Sequence, residues 1–259
     1  MQFATFHDLE DQSVFITGGG SGIGADLTKG FLSQGAKVTF VQRSNPEKFL
    51  AECEGKYKYE PTFIKCDVSH IEELKIALQT TAKKQGEVTV LVNNAANDTR
   101  HTLDAFTPKQ WDQTMEVNLK PHFFAAQEVV EGMKISGGGS IINFSSISYM
   151  MGNEGYPAYA TAKSAITGLT RSLARELGPH SIRVNAIMPG WVLTKRQMKL
   201  WATEEGLSKH LDRQCLKEHL SGSDIVGGTL FLASGTSKMM TSQALVIDCL
   251  LYTSDAADE

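Results

Sequence analysis

Residues 13–34 restrict the fold more than any other stretch of the chain. Ser13-Val14-Phe15-Ile16-Thr17 is a short apolar run that passes directly into Gly18-Gly19-Gly20-Ser21-Gly22-Ile23-Gly24. Ala25 to Gln34 then follows helical spacing, with Leu27, Phe31 and Leu32 on one side. A strand, a glycine-rich turn and a helix in immediate succession open a βαβ unit and set the first strand of an α/β sheet. Glycine permits the tight turn and a close backbone approach, and the helix start offers unpaired N–H groups and a positive dipole end. A glycine-rich turn alone is often no more than a turn. At a first βα junction it reads as a cradle for a dinucleotide pyrophosphate, with Gly18, Ser21, Gly22, Ile23 and Gly24 as the candidate contacts.

The same alternation continues to the far end of the chain. Val38 to Val41 reads as a second strand, ending in Gln42-Arg43-Ser44 beside the expected adenosine ribose. An acidic residue there would accept from the 2′-hydroxyl of NAD. Neutral Gln42 followed by the donor fork of Arg43 favours the 2′-phosphate of NADP, against the plainer reading of Arg43 as a solvated loop charge. Thr62 to Cys66 reads as a third strand closed by Asp67-Val68, Ile71 to Lys84 as an amphipathic helix, and Val88 to Val92 as a fourth strand running into Asn93-Asn94-Ala95-Ala96-Asn97-Asp98. One long helix is expected over about Lys109 to Met133, with Asn118 inside it; a buried asparagine there needs polar partners. Ser140 to Phe144 is the fifth strand, and a helix runs to Leu177 and stops at Gly178-Pro179. Ile182 to Ile187 leads into Met188-Pro189-Gly190-Trp191, residues 194–220 are helical in pattern and read as a substrate lid, and a helix at Ile225 to Ala233 precedes a seventh strand, Ala244 to Asp248. No linker interrupts the series. The expectation is one doubly wound α/β domain over residues 1–248, with a seven-stranded, mainly parallel sheet and helices on both faces.

Composition excludes several function classes. A 41% apolar and 21% charged chain can bury a large core, so disorder is not expected. The net charge of -4 and pI near 6.0 come without a basic block, which argues against nucleic acid or an anionic membrane as partner. The N-terminal MQFATFHDLEDQ lacks the features of a signal peptide. Cys53, Cys66, Cys215 and Cys249 show neither metal-ligand spacing nor disulfide density, so no metal is expected and a reduced cytoplasmic compartment fits.

The chemistry concentrates in residues 140–163. Ser145 and Ser146 follow the fifth strand, and Tyr159 and Lys163 lie four apart, on one helix face and one turn apart. A phenol ionises near pH 10, and a cation held close brings it toward neutral pH. A strand-end hydroxyl beside that phenol could hold an alcohol or carbonyl oxygen, which makes a proton-transfer site for alcohol/ketone chemistry. Taken alone the pieces are weak, since Tyr and Lys at this spacing are common on solvated helices and Ser-Ser pairs commonly cap or turn.

Taken in order, Thr17-Gly18-x-x-x-Gly22-x-Gly24, Asn93-Asn94-Ala95-Ala96, Asn118, Ser146, Tyr159-x-x-x-Lys163 and Pro189-Gly190 resemble the short-chain dehydrogenase/reductase family from about residue 9 to 248. The resemblance implies that Tyr159 is the general acid/base, and that Lys163 lowers its pKa and holds the nicotinamide ribose. Ser146, thirteen residues before Tyr159 as in the family, would orient the substrate oxygen, and Asn118 would hold a water in a proton relay. Asp67 and Val68 would line the adenine, Asn94 and Ala95 the ribose region, and Pro189, Gly190, Val192 and Thr194 the nicotinamide side. Only spacing separates Ser146 from Ser145. Similar proteins form homotetramers or homodimers.

Narrower similarity points to bacterial sugar 1-dehydrogenases of the xylose type, through Asn93 to Asp98 with Arg100-His101, Trp191 with Thr194-Lys195-Arg196-Gln197, and Gln214 to Lys217. Such enzymes oxidise the anomeric hydroxyl of an aldose to a lactone. Asn97, Ser148, Tyr149, Asn153, Glu154 and Trp191 are the candidates for sugar contacts. The alternatives are a 3-oxoacyl-carrier-protein reductase or general ketone reductase, with Lys195, Arg196 and Lys199 as a basic patch, and a non-catalytic dinucleotide-binding regulator. After Ile247-Asp248 the family continues with two glycines and an aromatic, whereas Cys249-Leu250-Leu251 begins a different run to Glu259. That tail resembles the in-frame translation of a sequencing adapter, which would make the chain truncated, and residues 249–259 are left out of the fold expectation.

Overall fold

A strand covered by helices on both faces must be apolar along its whole length, because neither set of alternate side chains meets water. Ser13–Thr17 (β1) meets that condition, buried at all five positions. The computed structural model, which describes residues 3–251, places β1 in the middle of a seven-stranded sheet. Lys37–Gln42 (β2) and Thr62–Lys65 (β3) lie on one side of it. Val90–Asn93 (β4), Gly139–Phe144 (β5), Ile182–Pro189 (β6) and Ala244–Ile247 (β7) lie on the other. The order is β3-β2-β1-β4-β5-β6-β7 and every pairing is parallel. The reversal between β1 and β4 makes the sheet doubly wound, as the alternation predicts, and all strand carboxyl ends share one edge.

Two helical layers complete the core. Gly22–Ser33 (α1) and Gly222–Ala233 (α10) cover the face carrying Val14 and Ile16, through Leu27, Phe31, Ile225, Val226 and Leu230. Ile71–Gln85 (α3), Lys120–Ile135 (α5) and Pro157–Leu177 (α7) cover the opposite face, where Phe15 meets Leu74, Leu78, Ala125, Met133 and Ala174. Successive residues of β1 therefore serve opposite layers, as the period of two requires.

Three regions differ from the sequence expectation. The long helix expected over 109–133 is two helices, Pro108–Asn118 (α4) and α5, interrupted at Leu119 with φ -128° and ψ -55°. Pro121 causes the break, since it has no N–H for the carbonyl four residues earlier and its ring disfavours helical geometry just before it. A short helix, Glu47–Cys53 (α2), follows β2 and buries Phe49 and Cys53; seven residues give too little periodicity to stand out. Residues 194–220 form Lys195–Leu200 (α8) and Glu204–Arg213 (α9), then lose helical structure. Ser148–Met151 (α6) precedes α7. Of the tail, Cys249–Leu251 packs onto the fold: Leu251 bridges Gln214 and is buried against Ile147 and Met188. The rest of the tail lies outside the described residues. Among the described residues no helix is long and apolar enough to cross a membrane.

Phe31 is 0% exposed between the sheet and α10, whereas Leu103 is 86% exposed. Phe31→Ala is expected to cost about 3–5 kcal/mol and Leu103→Ala within about 0.5 kcal/mol of nothing, read from urea unfolding midpoints.

Candidate active site

The parallel sheet delivers three chain segments to one edge. Thr17 is paired with Asn93 and Asn93 with Asn143, so the glycine turn, the Asn93-Asn94 segment and the Ser145-Ser146 pair all emerge side by side. A buried polar chain fixes α7 over them: Asn93 Nδ2 donates to Asn143 Oδ1 at 3.0 Å, and Asn143 Nδ2 donates to Thr170 Oγ1 at 3.0 Å. Such groups require partners in the core, so they specify how deep and in what register the helix docks.

The two serines part company here. Ser145 is 3% exposed and its Oγ donates to the main-chain oxygen of Lys163 at 2.6 Å, so it ties α7 to the strand end. Ser146 Oγ accepts from the N–H of Ser148 at 3.1 Å, and Ser146 and Tyr159 both line one cavity, which places Ser146 at the site. Lys163 Nζ lies 5.5 Å from the centre of the Tyr159 ring.

The electrostatics depart from the expectation that Lys163 lowers the Tyr159 pKa. Burial pushes the Tyr159 hydroxyl well above its ordinary value, with Asp98 and Tyr156 adding to the rise and Ser146 and Arg100 opposing it. Burial also brings Lys163 down from 10.5 to about 7, against the pull of Asp98. The reason is geometric. Lys163 is 1% exposed and Nζ donates one of its hydrogens to the Phe144 carbonyl at 2.7 Å; burial outweighs that single partner and lowers its pKa. His122 on α5 is fully buried and kept well below its usual pKa, first by burial and then by Lys163.

Asn118 is 0% exposed, and its side chain is fully engaged. Oδ1 accepts from the N–H of Asn97 at 2.8 Å, and Nδ2 donates to the carbonyls of Asn97 and Thr114 at 3.0 Å each. Its side chain therefore holds the segment after β4 in place.

A cavity of about 390 Å³ opens beside these groups. Ile23, Asn94, Pro189, Gly190, Val192 and Thr194 border it, as do Ser146, Ser148, Asn153, Tyr159, Lys163 and Trp191. The glycine turn fits a dinucleotide. Gly18 and Gly22 have φ of +71° and +52°, and a Cβ on Gly24 would run into the carbonyl of Gly18. Ser21 makes no side-chain cap, which leaves the first N–H groups of α1 for an anion. Asn94 is committed to the loop, its Nδ2 donating to the carbonyl of Thr17 at 2.9 Å, while Asn94 and Ala95 both donate their N–H groups to Thr17 Oγ1. Asp67 accepts from Ser69; burial opposes its ionisation, but those bonds and Arg43 at 3.8 Å hold its pKa down. Val68 is buried beside it, and Gln42 Nε2 donates to the Ser44 carbonyl at 2.8 Å.

Of the proposed sugar contacts, Ser148, Asn153 and Trp191 border the cavity. Asn97 does not: its Oδ1 accepts from Arg196 at 3.0 Å. Tyr149 turns toward Thr167 and Met188, and Glu154 is exposed outside the cavity. Sequence reasoning gave no site role to Asp98, Arg100, Tyr156, Gln197, Trp201 and His210, all of which line the cavity. Asp98 accepts from Gln197 Nε2 at 2.6 Å and pairs with Arg196 at 3.3 Å, joining the β4 loop to α8. The sequence signal for Asp98 and Arg100 was the similarity of Asn93 to Asp98 with Arg100-His101 to sugar 1-dehydrogenases.

The chain is similar to known proteins over most of its length. The profile of the family described as short chain dehydrogenase matches residues 12–205. A Rhizobium meliloti protein named probable galactose dehydrogenase is 49% identical over 246 residues, covering 94% of this chain and 96% of its own. A D-xylose 1-dehydrogenase of Caulobacter vibrioides is 43% identical, covering 96% and 98%. A Thermotoga maritima 3-oxoacyl-[acyl-carrier-protein] reductase is 34% identical, covering 93% and 97%. A solved structure from Sinorhizobium meliloti 1021, described as a candidate short-chain alcohol dehydrogenase, superposes with a TM-score of 0.89 at 29% identity, over 94% of this chain and 97% of its own.

Lys163 binds its proton less tightly folded than unfolded between about 7 and 10.5, so its contribution to stability rises with pH across that window. The stability difference between wild type and Lys163→Met, followed by urea unfolding, is therefore expected to shift toward wild type from neutral to alkaline pH. A flat difference would contradict the buried, destabilised ammonium.

Proposed function

Because this chain belongs to the short-chain dehydrogenase family, and so is an NAD(P)-dependent oxidoreductase acting on CH–OH groups, we propose that it oxidises an aldose at C1 to the lactone. The observation that carries the reading is that Ser146, Tyr159 and Lys163 line one cavity together with Ile23 of the glycine turn. The 49% and 43% identities to a galactose and a xylose dehydrogenase support sugar as the substrate class.

The nicotinamide, when bound, accepts the hydride from C1; the chain's own residues manage position and proton. Ser146 Oγ holds the anomeric oxygen beside Tyr159, which takes the hydroxyl proton as hydride leaves. Lys163, its pKa brought down to about 7 by burial, offers its remaining donors to the ribose and to the developing phenolate. Since burial raises the Tyr159 pKa, its basic form grows with pH and oxidation is expected to quicken from neutral toward alkaline pH. Asn118 supports the proton path by holding the Asn97 backbone. Ser148, Asn153 and Trp191 offer polar atoms and an aromatic face to the sugar.

NADP is the favoured dinucleotide, supported by Gln42 and by Arg43, whose side chain is 74% exposed at the end of β2. The four free cysteines fit a reduced cytoplasmic setting. Exposed Trp111 and Phe123 on α4 and α5 support assembly into a homo-oligomer. Residues 194–220 act as the substrate lid.

The test is reduced-nicotinamide absorbance with NAD⁺ or NADP⁺ and a panel of aldoses including galactose and xylose. Turnover is expected with an aldose, and Tyr159→Phe is expected to reduce it about 10²–10⁴-fold. Consumption of NADPH with a β-ketoacyl thioester, and silence with every aldose, would move the protein to the reductase reading. Arg43→Glu is expected to shift preference from NADP toward NAD by about tenfold or more, the equivalent of one charged hydrogen bond.

A further inference from the structure

Helix α7 carries both Tyr159 and Lys163, and its start is poorly supported by its own sequence. The residue before it, Tyr156, makes no side-chain cap, and Pro157 contributes no N–H. The N–H of Ala158, the residue before Tyr159, is instead taken by an imidazole from a distant segment: it donates to His101 Nε2 at 3.4 Å. His101 Nδ1 lies 3.3 Å from the carbonyl of Thr99. A carbonyl can only accept, so Nδ1 carries the proton and Nε2 is left with the lone pair that Ala158 requires.

Other contacts hold this imidazole in place. The ring stacks on Phe106 at 3.7 Å between centroids and 17° between planes. The His101 N–H donates to the Gly155 carbonyl at 2.8 Å, just ahead of α7. Next to it the Arg100 guanidinium lies 4.0 Å from the centre of the Tyr156 ring, and Tyr156 meets the Tyr159 ring edge-on at 5.9 Å. The segment after β4 thus holds the chain at Gly155 and Tyr156, just ahead of α7, and at Ala158 in its first turn.

We propose that His101 is a positioning residue: as an acceptor on the first turn of α7 it sets where the Tyr159 hydroxyl stands relative to Ser146. The inference rests on the reading of Tyr159 as the acid/base. It adds a residue that touches neither substrate nor dinucleotide, and whose effect is on turnover rather than on binding. Displacement of a catalytic group by about an ångström costs on the order of a hundredfold in rate.

Two variants separate positioning from simple support. His101→Phe keeps an aromatic ring to stack on Phe106 but has no acceptor; His101→Gln keeps an amide oxygen near the place of Nε2. In the aldose assay, His101→Phe is expected to lose roughly ten- to a hundredfold in kcat. KM for the sugar and dinucleotide affinity, read by NADPH fluorescence, are expected to stay near wild type. His101→Gln is expected to recover most of the lost kcat. Wild-type kcat in His101→Phe, or equal losses in both variants, would overturn the proposal. Tyr159→Phe serves as the control: if it turns over like wild type, the reading of Tyr159 fails and this inference falls with it. If Tyr159→Phe is inactive while His101→Phe is unimpaired, the inference alone fails.

Discussion

Parallel pairing of β1, β4 and β5 is the constraint from which the site follows. Parallel strands all finish on the same edge, and the register of Thr17 with Asn93 and of Asn93 with Asn143 brings three loops out at one level. Thr17 Oγ1 accepts from the N–H groups of Asn94 and Ala95, so the glycine turn and the β4 loop are locked together at their roots. Ser145 then ties the end of β5 to α7. Ser146, Tyr159 and Lys163 are thus held by side chains whose own role is to join strand ends.

Placing Lys163 inside this junction has an electrostatic consequence. A buried ammonium with one carbonyl partner is poorly compensated for the water it has lost, and its pKa falls to about 7. The neighbouring phenol is shifted the opposite way by the same burial. Both shifts favour the neutral forms, and Asp98 biases the pair electrostatically from across the cavity. Since Asp98 is also bonded to Arg196 and Gln197, the position of α8 and the electrostatics of the Tyr159–Lys163 pair are linked through one carboxylate.

The segment 97–101 connects most of these parts. Asn97 is pinned by Asn118, Asp98 reaches α8, Arg100 covers Tyr156, and His101 supports the start of α7. Asn118 can do this because α4 stops there: the break forced by Pro121 leaves it at the end of a helix, with both amide atoms turned to the Asn97 backbone. The family resemblance marked Asn118 as important, and the structure gives its side chain a mechanical task.

Much of this was legible in the amino-acid order. The apolar runs at β1 and β5, the glycine turn and the period of α3 and α7 are local properties, and local physics decides them. The spacing of Ser146, Tyr159 and Lys163 on a strand end and one helix face is equally local. What the order alone left open depended on distant partners. Ser145 and Ser146 are chemically identical neighbours that family spacing tells apart, but only the structure shows that Ser145 binds the main chain of Lys163. The roles of Asp98, Arg100 and His101 arise from contacts with residues tens of positions away. The direction of the Tyr159 shift could not be read from a Tyr-x-x-x-Lys pattern, because burial, which no spacing records, outweighs the charge next to it.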